Sequence, residues 1–256
     1  MTTEACAQLV ERADPDRFLA TMAAPPAARR VLFPLYAFNL EVSRTPWMTR
    51  EPMIAAMRLQ FWRDTLDGIG AGKPPRPHGV AAALAGAIGP ADVPVLDALV
   101  AARRWDIYKD PFEDQTHLDR YLNATSGGLY WTAAHALGAP AAAETTVRAY
   151  GFAAGLAGFL RAVPALQARG RAPLPDGTPQ GIRDLADRGL KALARARAAR
   201  DTVPSAAAPA LFAGWRAATT LNAARTAPER VIEGQLSESE FLRRARLLWV
   251  AFTGRW

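Results

Sequence analysis

The stretch RRVLFPLYAFNLEVSR, residues 29–44, sets Val31, Leu35, Phe38 and Val42 at i, i+4, i+7 and i+11. That spacing gathers them on one helix face and fits no strand, whose side chains alternate with a period of two. A helix over 27–44 is predicted, which Pro34 either kinks or opens as part of its first turn. In 52–69, Pro52 takes a first-turn position, and Met53, Met57, Phe61 and Leu66 share one side, the expected buried face. The same reasoning predicts helices at about 80–88, 92–108, 115–137, 141–163, 182–200, 206–224 and 237–252. Asp92 reads as a cap, and Ser237 with Glu240 as a capping box. KPPRP (73–77) and GRAPLPDGTPQG (170–181) read as loops. With no alternating run of strand length, the chain is predicted to be an all-α domain spanning 1–256.

Composition agrees, because about a fifth of the 256 residues are alanine and strand-favouring residues are sparse. The single cysteine, Cys6, excludes an internal disulfide and a cysteine-built metal site, and its segment is expected to fray. The net charge of +7 suggests nucleic acid at first sight. However, residues 161–256 carry 16 Lys/Arg against 8 Asp/Glu, while residues 1–160 carry 15 against 16. No run of like charge or aromatic–basic interleaving accompanies the excess, so no nucleic-acid partner is expected. The N-terminus lacks a basic-then-apolar leader pattern, and Pro140, Glu144 and Arg148 interrupt the most apolar stretch, 131–160. A cytoplasmic protein, peripheral at the inner face of the membrane, is the expectation.

His78, His117 and His135 are too scattered for a ligand pair, and no serine sits in a G-x-S-x-G turn. Gly151, Gly155 and Gly158 lack the strand and Lys-Ser/Thr pair of a phosphate loop, and their spacing suits a close helix–helix contact. Carboxylate pairs remain as candidates for holding Mg²⁺: Asp64/Asp67, Asp106/Asp110, Asp110/Asp114 and Asp184/Asp187. Asp106/Asp110 is the sharpest of these, though Pro111 argues for a helix end in solvent.

Four ordered blocks, RRVLFPLYAFNLEVSR (29–44), EPMIAAMRLQFWRDTLDGI (51–69), LDRYLNATSGGLYW (118–131) and GFLRAVPALQARGRAPLP (158–175), resemble the squalene/phytoene synthase family. The resemblance spans roughly residues 15–225 and implies an isoprenoid synthase-like helical bundle around a central apolar cavity. It also implies two facing motifs, each with two aspartates four residues apart, that hold Mg²⁺ against substrate diphosphates. In the family's frame those four positions are Ser43, Trp47, Ala162 and Leu166 here. A Q-x-x-N element is likewise replaced, by Gly155 and Gly158. Apolar side chains cannot coordinate a hard cation, so no catalytic residue and no metal are expected. Mg²⁺ belongs only to the alternative of an active head-to-head prenyl transferase with a displaced site.

Asn39, Glu41 and Arg44 match a degenerate branch of the family that includes a mitochondrial complex I assembly factor. The resemblance therefore implies a non-catalytic assembly or scaffold factor with a respiratory complex I subunit as partner. A third alternative is a module that retains a polyprenyl lipid. Arg44, Arg63, Arg161 and Arg171 are candidates for a metal-free anion site. The competing reading pairs Arg44 with Glu41 and Arg63 with Asp67 along their own helices. Tyr36, Phe38, Phe61, Trp62 and Trp131 either line the cavity or fill the core. In the tail, 237–256, Leu242, Ala245, Leu248, Trp249 and Phe252 form one helical face. This basic amphipathic helix either lies on an anionic membrane surface or docks that face on the bundle.

Overall fold

The computed structural model describes residues 2–49 and 51–256, and every regular element among them is helical. The N-terminal segment is ordered helix and not a frayed end. Thr2 caps α1 (Thr3–Ala13) by accepting the Ala5 N–H, and Asp14 caps α2 (Pro15–Met22) by accepting the Arg17 N–H. Cys6 and Val10 of α1 are fully buried, and burial pushes the Cys6 thiol pKa up. Helix α3 (Pro26–Arg44) continues through Pro34 and ends at a tight 3-10 turn, Thr45–Trp47. Then come α4 (Pro52–Gly70), α5 (Gly79–Ala85), α6 (Val93–Ala102) and a 3-10 segment, Arg103–Ile107. Tyr108 is already extended, which ends the expected 92–108 helix early.

The expected 115–137 helix consists of α7 (Gln115–Leu122), a π turn (Asn123–Gly127) and α8 (Gly128–Ala136). Helix α9 (Glu144–Gln167) is long and apolar enough to cross a bilayer by length and composition. Four neighbours, α8, α10 (Pro179–Ala198), α11 (Ala217–Thr226) and the π turn, pack on it and contribute to burying 44% of its most apolar window. The buried apolar residues form one continuous cluster from Cys6 to Trp256.

The glycine spacing on α9 makes the expected close contact, but only in part. A Cβ at Gly155 would stand 2.4 Å from the Ser126 Cβ, and one at Gly151 would stand 2.9 Å from the Tyr130 Cβ. Gly158 faces open space. The π turn lies against these two glycines, where the Ser126 hydroxyl donates to the Gly151 carbonyl at 2.7 Å.

Two apolar faces lie differently from the sequence expectation. On α4 the buried side is Ala55, Leu59, Trp62 and Leu66, while Met53 and Met57 are exposed. After the short α12 (Glu229–Ile232), helix α13 (Glu240–Thr253) begins at Ser239, whose hydroxyl accepts the Leu242 N–H, and not at Ser237. Glu238, just before this cap, pairs with Arg246 at 2.6 Å. The helix docks through Leu247 and Val250, with Trp256 set edge-on against Tyr150 at 5.1 Å. The apolar side with Leu242, Leu248, Trp249 and Phe252 points outward, and Phe252 is 91% exposed.

These contacts separate two glycines of one helix. Gly155→Ala is expected to lower unfolding stability by about 1–3 kcal/mol, the usual cost of overpacking. Gly158→Ala is expected to leave it unchanged or raise it by up to about 1 kcal/mol through helix propensity. Urea denaturation of the two variants checks both.

Candidate functional site: two adjoining cavities

The space between α3 and α9 holds two cavities that share Arg103, Tyr121, Phe159 and Ala162 in their walls. The larger, about 800 Å³, is lined by Ser43, Arg44 and Trp47 on one side and by Phe159, Ala162 and Leu166 of α9 on the other. Ser43, Trp47, Ala162 and Leu166 thus line one cavity. Ser43 donates its hydroxyl to the Leu40 carbonyl of its own helix at 3.2 Å, and Trp47 lies in the 3-10 turn under the Arg169 guanidinium, 4.5 Å from the ring centroid.

Asp106 is the carboxylate of that cavity, and it is already engaged. It accepts hydrogen bonds from Tyr121 Oη at 2.9 Å and from Arg103 Nη1 at 3.0 Å. Burial raises the Tyr121 hydroxyl pKa far above its ordinary value, so it stays a donor. Arg103 remains charged, because Tyr121 and Asp106 outweigh the burial that would discharge it. Asp110 is exposed on the loop beyond and makes no pair with Asp106. Carboxylates of the other candidate pairs are engaged elsewhere: Asp64 binds Gln60 and Arg76, Asp114 caps α7 by accepting the His117 N–H, Asp184 binds Gln180, and Asp187 binds Arg225 of α11.

The smaller cavity, about 280 Å³, is strongly charged, with Asp14, Asp16, Arg17, Arg103, Arg161 and Arg216 in its wall. Asp14 pairs with Arg17 at 3.5 Å. Asp16 is shared by Arg161 of α9 at 3.3 Å, by Arg216 and by Arg243 of α13. Burial alone would raise the Asp16 pKa. The Arg216 hydrogen bond and charge, joined by Arg243 and Arg161, outweigh it and hold the carboxyl below its usual range. Burial, together with the charge of Arg216, lowers Arg161, which Asp16 then compensates in part. The buried Nε atoms of Arg103 and Arg216, and Trp215 Nε1, have no acceptor among the described residues.

The remaining predicted residues are dispersed. Arg44 opens onto the large cavity and makes no ion pair with Glu41, while Arg161 reaches the small one. Arg171 lies behind the cavity wall, stacked on Trp105 at 4.1 Å and donating to the Asp106 and Trp105 carbonyls. Phe38 packs edge-on against Trp62 at 5.2 Å, away from both cavities. Tyr36 is buried, under the Arg17 guanidinium at 5.0 Å, with its pKa pushed up to about 12 by burial. Arg63 pairs bidentately with Asp97 of α6 at 2.6 and 2.9 Å, and not with Asp67. The Asp16 cluster escaped sequence reading because its partners lie 145, 200 and 227 residues away.

Residues 10–178 match the family described as Squalene/phytoene synthase. The chain belongs to that family. A dehydrosqualene synthase crystal structure shares the fold, with a TM-score of 0.79 at 16% identity over 98% of this chain and 95% of that one. Among curated proteins, the chain is similar to NADH dehydrogenase (ubiquinone) complex I, assembly factor 6 of Bos taurus. The identity is 28% over 177 residues, 68% of this chain and 53% of the relative. The Drosophila melanogaster homolog of that factor is 48% identical over 63 residues, 24% of this chain and 19% of the relative. The chain thus spans about half or less of the lengths of these relatives.

The family's Mg²⁺ needs free, paired carboxylates, and the residues present do not fit it. Asp14, Asp16 and Asp106 are each bound by arginine, and no cluster of three His, Cys, Asp or Glu occurs among the described residues. Asp16 has a depressed pKa, so its contribution to stability is complete above the unfolded value near 4 and fades as pH falls through the lower folded value. Asp16→Asn is expected to cost about 2 kcal/mol at pH 7, a share of the 3–5 kcal/mol for breaking a fully buried pair. The variant should also lose less stability than the unmodified chain below about pH 4, as measured by urea unfolding across pH.

Proposed function

We propose that this chain is a non-catalytic squalene/phytoene synthase-like protein that acts as an assembly or scaffold factor at a membrane, for respiratory complex I. The observation that carries the reading is the charge state of the cavities. Each aspartate lining them is matched to an arginine, and the four positions of the family's aspartates hold Ser43, Trp47, Ala162 and Leu166. Guanidinium groups attract a diphosphate but supply no divalent cation to draw charge from a leaving group. The similarity to complex I assembly factor 6 supports the partner. The outward face of α13, with Phe241 80% exposed and Arg244 on the same helix, supports a peripheral location on an anionic membrane.

A second reading, retention of an anionic polyprenyl lipid without turnover, is favoured by the unpaired donors Arg103 Nε, Arg216 Nε and Trp215 Nε1 in the small cavity wall. Mass spectrometry of lipid extracted from purified protein tests it, and lipid-free protein would sink it.

Purified protein given Mg²⁺ and farnesyl or geranylgeranyl diphosphate is expected to release no diphosphate; metal-dependent release would establish the transferase alternative instead. A deletion strain is expected to accumulate less assembled complex I by native gel. The pair Trp249→Ser/Phe252→Ser is expected to weaken co-sedimentation with phosphatidylglycerol vesicles at least tenfold, since each side chain is worth about 1.5–3 kcal/mol when buried in an apolar phase.

A further inference from the structure

The exposed side of α4 is a second unpartnered apolar surface; its methionines line neither cavity, and it meets the large cavity only at Trp47 and Arg44. Met53 is 75% exposed and Met57 66%, with Ile54 beside them, while the opposite side of the helix is sealed in the core. The surface continues onto the Trp47–Met48 corner, because Arg58 Nη1 lies 3.6 Å from Met48 Sδ. Three of the chain's five methionines are therefore on one patch. Methionine is unbranched and polarizable, and surfaces rich in it reshape around an incoming apolar side chain.

The rim of this patch is cationic. Arg44, Arg58 and Arg169 are exposed and make no ion pair with the described residues, and Glu51 stands at one end as the α4 N-cap. Two copies of the chain meeting through this face would set guanidinium against guanidinium, which disfavours a homodimer. A lipid surface is better served by α13, which carries Phe241, Trp249 and Phe252. Helix α13 packs on Ala208–Gly214, whereas α4 packs on α6 and on the 45–47 and 103–107 turns, so the two faces occupy different parts of the bundle.

We propose that the methionine face of α4, with the Trp47–Met48 corner, docks an acidic amphipathic helix of a protein partner. Apolar anchors one turn apart would seat on Met53 and Met57, and flanking carboxylates would meet Arg44, Arg58 and Arg169. The proposal rests on the scaffold reading and names the surface through which it acts.

The test uses the full chain labelled with ¹³C at the methionine methyls, titrated with a synthetic 20-residue helix bearing leucine on one face and glutamate on the other. The Met48, Met53 and Met57 signals are expected to shift, while Met22, exposed at the end of α2, stays fixed as an internal control. Met53→Ser/Met57→Ser and Arg58→Glu are each expected to weaken binding at least tenfold with the helical circular dichroism unchanged.

Four results would overturn the proposal: no shift at the three methionines, equal binding of a lysine-for-glutamate peptide, concentration-dependent shifts of the chain alone, or the same shifts with phosphatidylglycerol vesicles instead of peptide. Loss of peptide binding beside a complex I defect in the deletion strain refutes this surface alone. Intact peptide binding beside normal complex I assembly refutes the scaffold reading alone.

Discussion

The Asp16 carboxylate joins parts of the chain that have little else in common. It lies at the start of a short helix, yet its three arginines come from the central helix, from the residue preceding α11 and from the C-terminal helix. A carboxylate shared this way is far more stable ionised than protonated, and removing it would leave three cations facing one another. The position of α13, and therefore of everything it displays, depends on that single charge together with Leu247, Val250 and Trp256.

This arrangement also explains how carboxylates are accommodated in the walls between α3 and α9. Buried aspartates ordinarily demand a cation. Here the cations are covalently part of the chain, as Arg17, Arg103 and Arg216, so the polar floor between α3 and α9 is neutralised by folding itself. The price is chemical: a guanidinium already engaged by a carboxylate does not exchange ligands as a metal ion does.

Much of the architecture was legible in the sequence because helical periodicity is a local signal. The runs at 29–44 and 52–69 and the 170–181 loop were placed to within a few residues, and Ser43, Trp47, Ala162 and Leu166 line one cavity. Periodicity could not say which of two apolar stripes on α4 is inside, since Met53/Met57 and Leu59/Trp62 are both helical repeats. The choice is made by α6 and the turns packed against one side. The same ambiguity hid the outward face of α13. The N-terminal helices were missed although Thr2 and Asp14 are ordinary caps, because the many charges of MTTEACAQLVERADPDRF obscured a stripe narrow enough to bury only Cys6 and Val10 of α1. Long-range ion pairs such as Arg63–Asp97 leave no trace in local spacing at all.

Pro46 carries a consequence for the spacing of positions 43 and 47. It has no N–H to offer the Val42 carbonyl, so α3 stops at Arg44 and Trp47 sits in a tighter winding than Ser43. Two side chains four apart face each other only when the α-helix runs through both. Carboxylates placed at positions 43 and 47 would therefore both open on the large cavity without lying one α-helical turn apart, because a proline stands between them.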